Sequence, residues 1–237
     1  MSIALVIFTY AIWSSNLSIG KLILQNSSPL FATGLRMVLA SLLILTYLFF
    51  KNRSQLKIRK KSIFPLLAIS LSSIYITNNL EFWSLKYLTV GKTSFLFGLN
   101  FFFVPIFSYL YLQEKVNWKK GIGLLIGFTG KLSILFVKSE NESLLKAFSL
   151  FSIPELVMVV AAISCAFGKI QTRVLVSRQE VSPLMINGYT MLLGGLFSLI
   201  HSLCVESWTP TPIIEGQYGG FFKTIFFMLL ISNLFGF

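Results

Sequence analysis

The feature that most constrains this chain is a pair of long apolar runs separated by a short charged turn. From residue 95 to residue 112 nearly every side chain is apolar; Gln113-Glu114-Lys115 follows, and a second apolar run then continues toward Lys138. A helix needs about 20 residues to cross a hydrocarbon core of ~30 Å, and each run is near that length. Inside lipid the backbone must satisfy its own hydrogen bonds, which leaves helices and closed barrels. Barrel strands alternate polar and apolar residues, and these runs do not. The pattern therefore predicts a hairpin of two membrane helices. Gly123 and Gly127 stand four apart in the second run with Gly130 behind them, a spacing expected to let that helix approach a neighbour closely.

The same reading extends along the whole chain. Apolar spans are expected at 3–24, 29–50, 62–80, 89–112, 118–137, 151–172 and 182–204, with part of an eighth from 220 to the end. A hydrophobic content of 55% and a mean hydropathy of +0.78 over 237 residues are too apolar for a soluble domain. The fold class expected is an all-α polytopic membrane protein. A net charge of +12 raises the question of nucleic acid, but the basic residues cluster between the apolar runs, where they set topology instead. Lys51, Arg53, Lys57, Arg59, Lys60 and Lys61 crowd one loop, which the positive-inside rule puts in the cytoplasm together with the amino terminus. The turn with Lys115, Lys119 and Lys120 and the link with Arg173 and Arg178 fall on that same side. No basic leader precedes the first run, so no cleavable signal is expected.

Residue usage excludes much chemistry. All eight acidic residues are glutamates, the sole histidine is His201, and the two cysteines, Cys165 and Cys204, sit inside apolar runs. Aspartate-rich metal–diphosphate motifs, Walker B aspartates and aspartyl-phosphate chemistry are ruled out, and no Gly-rich loop ends in Lys-Ser or Lys-Thr. Neither a disulfide framework nor a metal site is indicated, and no cofactor is expected. No constellation of acid, base and metal ligands is left for an enzyme. His201, alone in an apolar helix, reads as a hydrogen-bonded core residue and not as a proton relay.

An internal repeat is visible. Ala11-Ile12 matches Ala162-Ile163, and Ser28-Pro29 with Gly34 and Met37 matches Ser182-Pro183 with Gly188 and Met191. Five spans separate the copies, and an odd number inverts the second relative to the first. The organisation expected is an inverted repeat of five-helix units around a midplane cavity. Residues 1–138 form the first unit, 139–150 a periplasmic loop, and 151–237 a truncated second unit of two helices plus part of a third.

Several of these landmarks together resemble a known family. The apolar helix closed by Glu114 and Lys115, with Gly123 and Gly130 beyond it, is similar to the end of the EamA repeat of the drug/metabolite transporter superfamily. Trp13-Ser14-Ser15-Asn16, Ser28-Pro29 followed by Arg36, and Phe82-Trp83-Ser84-Leu85-Lys86-Tyr87 stand in the family's order. Two departures show. The family's proline near Phe101 is replaced by Pro105 one turn later, which shifts the expected kink, and three of the usual ten spans are incomplete or missing. The resemblance implies a secondary transporter that moves a small organic metabolite by alternating access, driven by an ion gradient or by exchange. The run from Asn78 through Glu81-Phe82-Trp83 and Lys92-Thr93-Ser94 to Asn100 looks like the S-adenosylmethionine transporters of obligate intracellular bacteria, and the lysine-rich, AT-type residue usage agrees. What that implies is uptake of S-adenosylmethionine in exchange for S-adenosylhomocysteine across a bacterial inner membrane. An amino-acid or general metabolite exporter, and a truncated membrane subunit that depends on a partner, are the alternatives. The partners expected are a small-molecule substrate, membrane lipid and a second copy in a homodimer, with no nucleic acid.

The candidate substrate-binding residues are polar groups at membrane depth. Arg36 lies seven residues past Pro29, about 10 Å below the outer surface at about 1.5 Å per residue. A charge there costs about 2.5–3.5 kcal/mol on insertion scales unless it is paired or faces a cavity. The functional reading is a cationic cavity wall for a carboxylate or phosphate; the bland one is a structural pair with Glu81. Asn16 and Asn100 near the midplane, and Asn79 at the end of the third span, either contact substrate or join helices by hydrogen bonds of about 0.6 kcal/mol. Glu81 and Lys92, flanking the outer turn, and Trp83 beside them form a gate or aromatic wall, or else an ordinary interfacial belt. Glu114 is expected to be structural or part of an inner gate, paired with Lys115, Lys119 or Lys120. Lys131 joins it as a gate or structural residue, and Lys21 is expected to snorkel to the outer surface.

Overall fold

Runs of Leu, Ile and Phe without central breakers become helices, and the computed structural model places one on every long apolar run that it describes. It describes residues 16–24, 27–51, 58, 60–114, 118–136, 152–177 and 181–206. In chain order the helices are α1 (16–23), α2 (Pro29–Lys51), α3 (Lys60–Tyr87), α4 (Val90–Leu112), α5 (Trp118–Phe136), α6 (Ile153–Ser177) and α7 (Pro183–Val205). Among the described residues no strand occurs, and five helices, α2, α3, α4, α6 and α7, are long and apolar enough to cross a membrane. The first three-fifths of the expected span at 3–24, the loop at 139–150 and the span from 220 onward lie outside the described residues.

Local chemistry sets the helix ends. Ser182 accepts a hydrogen bond from the Met185 N–H with Pro183 in the first turn, and Thr89 accepts one from the Lys92 N–H. Gln113 takes a left-handed conformation (φ 53°) and closes α4 into the hairpin turn. Two caps come from far away in sequence. Lys21 Nζ donates to the Leu85 and Leu88 carbonyls at 2.6 and 2.7 Å, placing a cation at the C-terminal end of α3 in place of the expected snorkelling. Glu206, just past α7, accepts from the Leu30 and Phe31 N–H groups at 2.9 and 3.0 Å and caps α2.

α3 departs from expectation in two ways. It continues to Tyr87 and not to residue 80, so Asn78, Asn79 and Glu81 lie within a membrane helix and Glu81 does not flank the outer turn. The helix can continue because these polar groups meet buried partners on other helices. Its middle, Ser70–Ile76, is a π-helical segment whose wider turn leaves carbonyls open to side chains. The Ser72 carbonyl accepts from the Thr77 hydroxyl at 2.8 Å and from the Ser164 hydroxyl of α6 at 2.9 Å. In α4 the interruption falls at Gly98-Leu99, ahead of Pro105, where the structure divides the helix into Val90–Phe97 and Asn100–Leu112.

Glycines bring α2, α3, α6 and α7 together. A Cβ at Gly34 would fall 2.7 Å from Leu199 Cγ, and one at Gly188 would fall 2.9 Å from Leu45 Cδ2. Gly34 near the start of α2 thus meets the end of α7, while Gly188 near the start of α7 meets the far half of α2. The two helices run antiparallel. Gly34 and Leu45 are spaced on α2 as Gly188 and Leu199 are on α7, so each helix offers its partner the same contact. Gly168 of α6 lies against Ser73, and Gly194 of α7 against Ile74 and the Ser70 carbonyl, which clamps the π-helical segment from two sides. Buried Met37, Ile44, Leu48, Leu66, Phe82, Leu85, Met185 and Met191 fill one core, and Phe95, Leu96, Met158 and Ala161 a second between α4 and α6.

The described residues show no close approach at the glycines of α5: a Cβ added at Gly121, Gly123, Gly127 or Gly130 would meet none of them within 4 Å. α5 touches α4 through Phe128, which packs on Phe95 and Phe102 at 5.7 and 5.3 Å between ring centroids, so an aromatic face makes the contact and the glycine face does not.

Candidate functional site

The buried charges collect where α1, α2, α3, α4 and α6 converge. Arg36, in the second turn of α2, is 3% exposed. Its Nη2 donates to Asn78 Oδ1 at 2.8 Å, its Nη1 to Asn16 Oδ1 at 3.3 Å, and its guanidinium lies 4.8 Å from the centre of the Phe82 ring. Asn78 is turned toward it because its own amide donates to the Ser73 and Ile74 carbonyls that the π-helical segment leaves open. The Nε of Arg36 is buried and has no hydrogen-bond partner among the described residues. The next residue of α3, Asn79, donates to the Ser198 hydroxyl at 2.7 Å, and its Oδ1 has no hydrogen-bond partner among the described residues. Glu81 is buried and interacts electrostatically with Arg36 and with Lys169 of α6.

Lys169 opens the second half of the constellation. Its Nζ donates to Asn100 Oδ1 at 3.1 Å and stands 5.3 Å from the centre of the Phe101 ring. Asn100, fully buried just after the interruption of α4, is oriented by its own amide donating to the Phe97 carbonyl at 2.6 Å. A glutamate thus stands among two cations, four amides and two phenylalanine rings inside the membrane region. Unlike charges held this way can bind the separate poles of a zwitterion, and the orphan donor and acceptor on Arg36 and Asn79 are groups a ligand or water can satisfy.

The other candidates are distributed differently. Lys92 forms a buried ion pair with Glu155 of α6, which also accepts from the Ser152 N–H at 2.7 Å. It therefore stands at the starts of α4 and α6 and apart from Arg36. Trp83 stacks on Tyr87 with ring centroids 4.9 Å apart, an aromatic pair at the end of α3. Among the described residues Glu114 takes Arg173 as a partner, a cation from α6 that sequence proximity did not suggest. Two hydrogen bonds of 2.7 and 2.8 Å join them, and the Ser108 hydroxyl donates to the same carboxylate at 2.8 Å. Lys115 and the side chains of Lys120 and Lys131 lie outside the described residues. His201 is bonded to the Tyr75 hydroxyl at 2.8 Å, on an exposed face and not in the core. Among the described residues no group of three or more His, Cys, Asp or Glu could hold a metal ion.

Sequence reasoning passed over Lys169, Glu155 and Arg173. The sixth span, expected to stop at 172 with Arg173 in the link beyond it, in fact runs to Ser177. A signal was present in the sequence: Lys169 stands one turn from Cys165 in an otherwise apolar stretch.

Comparison with known proteins gives a consistent picture. Residues 1–136 match the profile described as the EamA-like transporter family. A Chlamydia muridarum protein named S-adenosylmethionine/S-adenosylhomocysteine transporter is 34% identical over 99% of this chain and 73% of its own length. A Chlamydia trachomatis serovar L2 protein of the same name is 34% identical over 99% and 71%. The Bacillus subtilis transporter YetK, of uncharacterised function, is 27% identical over 88% of this chain and 62% of its own. A crystal structure 14% identical in sequence superposes with a TM-score of 0.71 over 98% of this chain and 75% of the other, which shows the fold.

Proposed function

This chain belongs to the EamA-like transporter family, and from that premise we propose that it exchanges S-adenosylmethionine for S-adenosylhomocysteine across a bacterial inner membrane. It is a multi-pass membrane transporter and not an enzyme. The observation that carries the substrate reading is the set of opposite charges held at membrane depth by Arg36, Glu81 and Lys169. Each such charge is costly in lipid, and apolar side chains of similar size would hold the same helices together as well or better. S-adenosylmethionine carries a carboxylate, an ammonium, a sulfonium and an aromatic base. Glu81 suits its cationic groups, Lys169 its anionic one, and the Phe101 ring its base or sulfonium. The two curated relatives named for this substrate pair support the same assignment.

Exchange needs a site that opens to one side at a time. The reciprocal contacts of Gly34 with Leu199 and of Gly188 with Leu45 support two inverted units, one within 1–138 and one within 151–237, rocking about the α2–α7 contact. The basic loop after Lys51 then lies in the cytoplasm, as does the amino terminus. The test is uptake of labelled S-adenosylmethionine by cells that express the chain. Saturable uptake competed by S-adenosylhomocysteine is expected; a well-inserted protein that takes up none, or whose uptake is competed by ordinary amino acids instead, overturns the assignment.

A further inference from the structure

We propose that Lys169 is the specificity-determining residue that recognises the substrate's carboxylate. The inference rests on the transport reading above and narrows it to one contact. Of the two cations near Glu81, Arg36 is sealed at 3% exposure with both Nη groups given to amides, so it braces α1, α2 and α3. Lys169 is the exposed one. An ammonium has three donors; that of Lys169 gives one to Asn100 Oδ1 at 3.1 Å, and the exposure of the side chain leaves donors for a ligand acceptor.

The surroundings fix where the ammonium can point. The Asn100 amide is committed to the Phe97 carbonyl, which forces its oxygen toward Lys169. The Phe101 ring supports the charge from one side and the Glu81 carboxylate attracts it from another. A membrane lysine held by interior polar groups presents its free side to the solute path and not to acyl chains, where it would stand unsolvated. A carboxylate arriving there accepts a charge-assisted hydrogen bond that an analogue without that group cannot form.

The experiment compares two competitors of labelled S-adenosylmethionine uptake: the unlabelled compound and its decarboxylated form, which keeps the adenosine, sulfonium and amine. The wild-type chain is expected to prefer the carboxylate-bearing compound by about tenfold or more, as for a site built around one polar group of its ligand. Lys169→Met is expected to remove that preference, weakening competition by S-adenosylmethionine while leaving the decarboxylated compound nearly unchanged. A Lys169→Met protein that retains the preference, or that loses both competitors equally, overturns the proposal. If that variant fails to insert, Lys169→Arg decides: an inserted arginine variant that keeps the preference supports the contact, and one that loses it does not. Failure of the transport reading looks different, because the wild-type chain then takes up neither compound, and the carboxylate assignment falls with it.

Discussion

The α2–α7 and α4–α6 interfaces each join a helix from before residue 138 to one from after it, and they are built from opposite materials. Between α2 and α7 the contact is dry: Gly34, Gly188 and Gly195 let backbone approach Leu199, Leu45, Met37 and Val38. Between α4 and α6 the apolar core of Phe95, Leu96, Met158 and Ala161 is crossed by polar pairs at three levels. Lys92 and Glu155 pair at the starts of these parallel helices, Lys169 reaches Asn100 midway, and Glu114 grips Arg173 at the ends. Shape-matched apolar contacts have few alternative arrangements. Ion pairs and amides can instead exchange protein partners for water or ligand, one pair at a time. In the exchange mechanism proposed above, the first interface is the pivot and the second the part that opens. The second interface also has unequal ends, since Lys92–Glu155 is buried and Glu114–Arg173 is largely exposed.

The largest effect is expected where a buried charge loses its partner. Lys92→Ala leaves the Glu155 carboxylate buried beside α4 and should destabilise the protein by about 3–5 kcal/mol, whereas an apolar pair at both positions should recover most of that loss. Thermal unfolding of detergent-solubilised protein, followed by size exclusion, distinguishes these cases; equal losses in the single and double variants would contradict the buried-pair account. Next comes the dry interface. Gly34→Leu pushes atoms into Leu199 and should cost about 1–3 kcal/mol. If α2 and α7 tolerated that change as α5 does, the contrast between the two interfaces would be lost.

Smaller effects follow at exposed positions. Glu114→Ala removes a pair whose side chains are 39% and 56% exposed, so a stability change of about 0–1 kcal/mol is expected, shrinking further as salt is raised. The smallest is Gly127→Ala on the open face of α5. With none of the described residues within 4 Å of the added Cβ, it should leave the packing intact and gain about 0.5–1 kcal/mol from helix propensity. A marked loss of stability instead would show that this face meets a neighbour.

Sequence and structure agree most where the physics is local. Apolar runs of membrane length marked six of the helices, and Ser182-Pro183 marked the start of α7 correctly. Gly34 and Gly188, noticed as a repeated motif, proved to be the positions where α2 and α7 touch. What remained hidden depends on partners distant along the chain. Asn78, Asn79 and Glu81 looked like the end of a span because nothing nearby in sequence could satisfy them; Arg36 and Ser198 do so from α2 and α7. Glu114 has lysines beside it, yet its described cation is Arg173 on another helix. The glycines of α5 carry a close-packing spacing, yet among the described residues Phe128 makes the contact with α4. The π-helical segment follows from no motif in Ser70–Ile76, although it is what aims Asn78 at Arg36.

The exchange function and the polar centre are tested together by counterflow in liposomes containing the purified chain. Vesicles preloaded with S-adenosylhomocysteine should take up labelled S-adenosylmethionine faster than empty ones, and Arg36→Ala should abolish the difference. Equal uptake into loaded and empty vesicles, or stimulation unchanged by Arg36→Ala, would contradict the account.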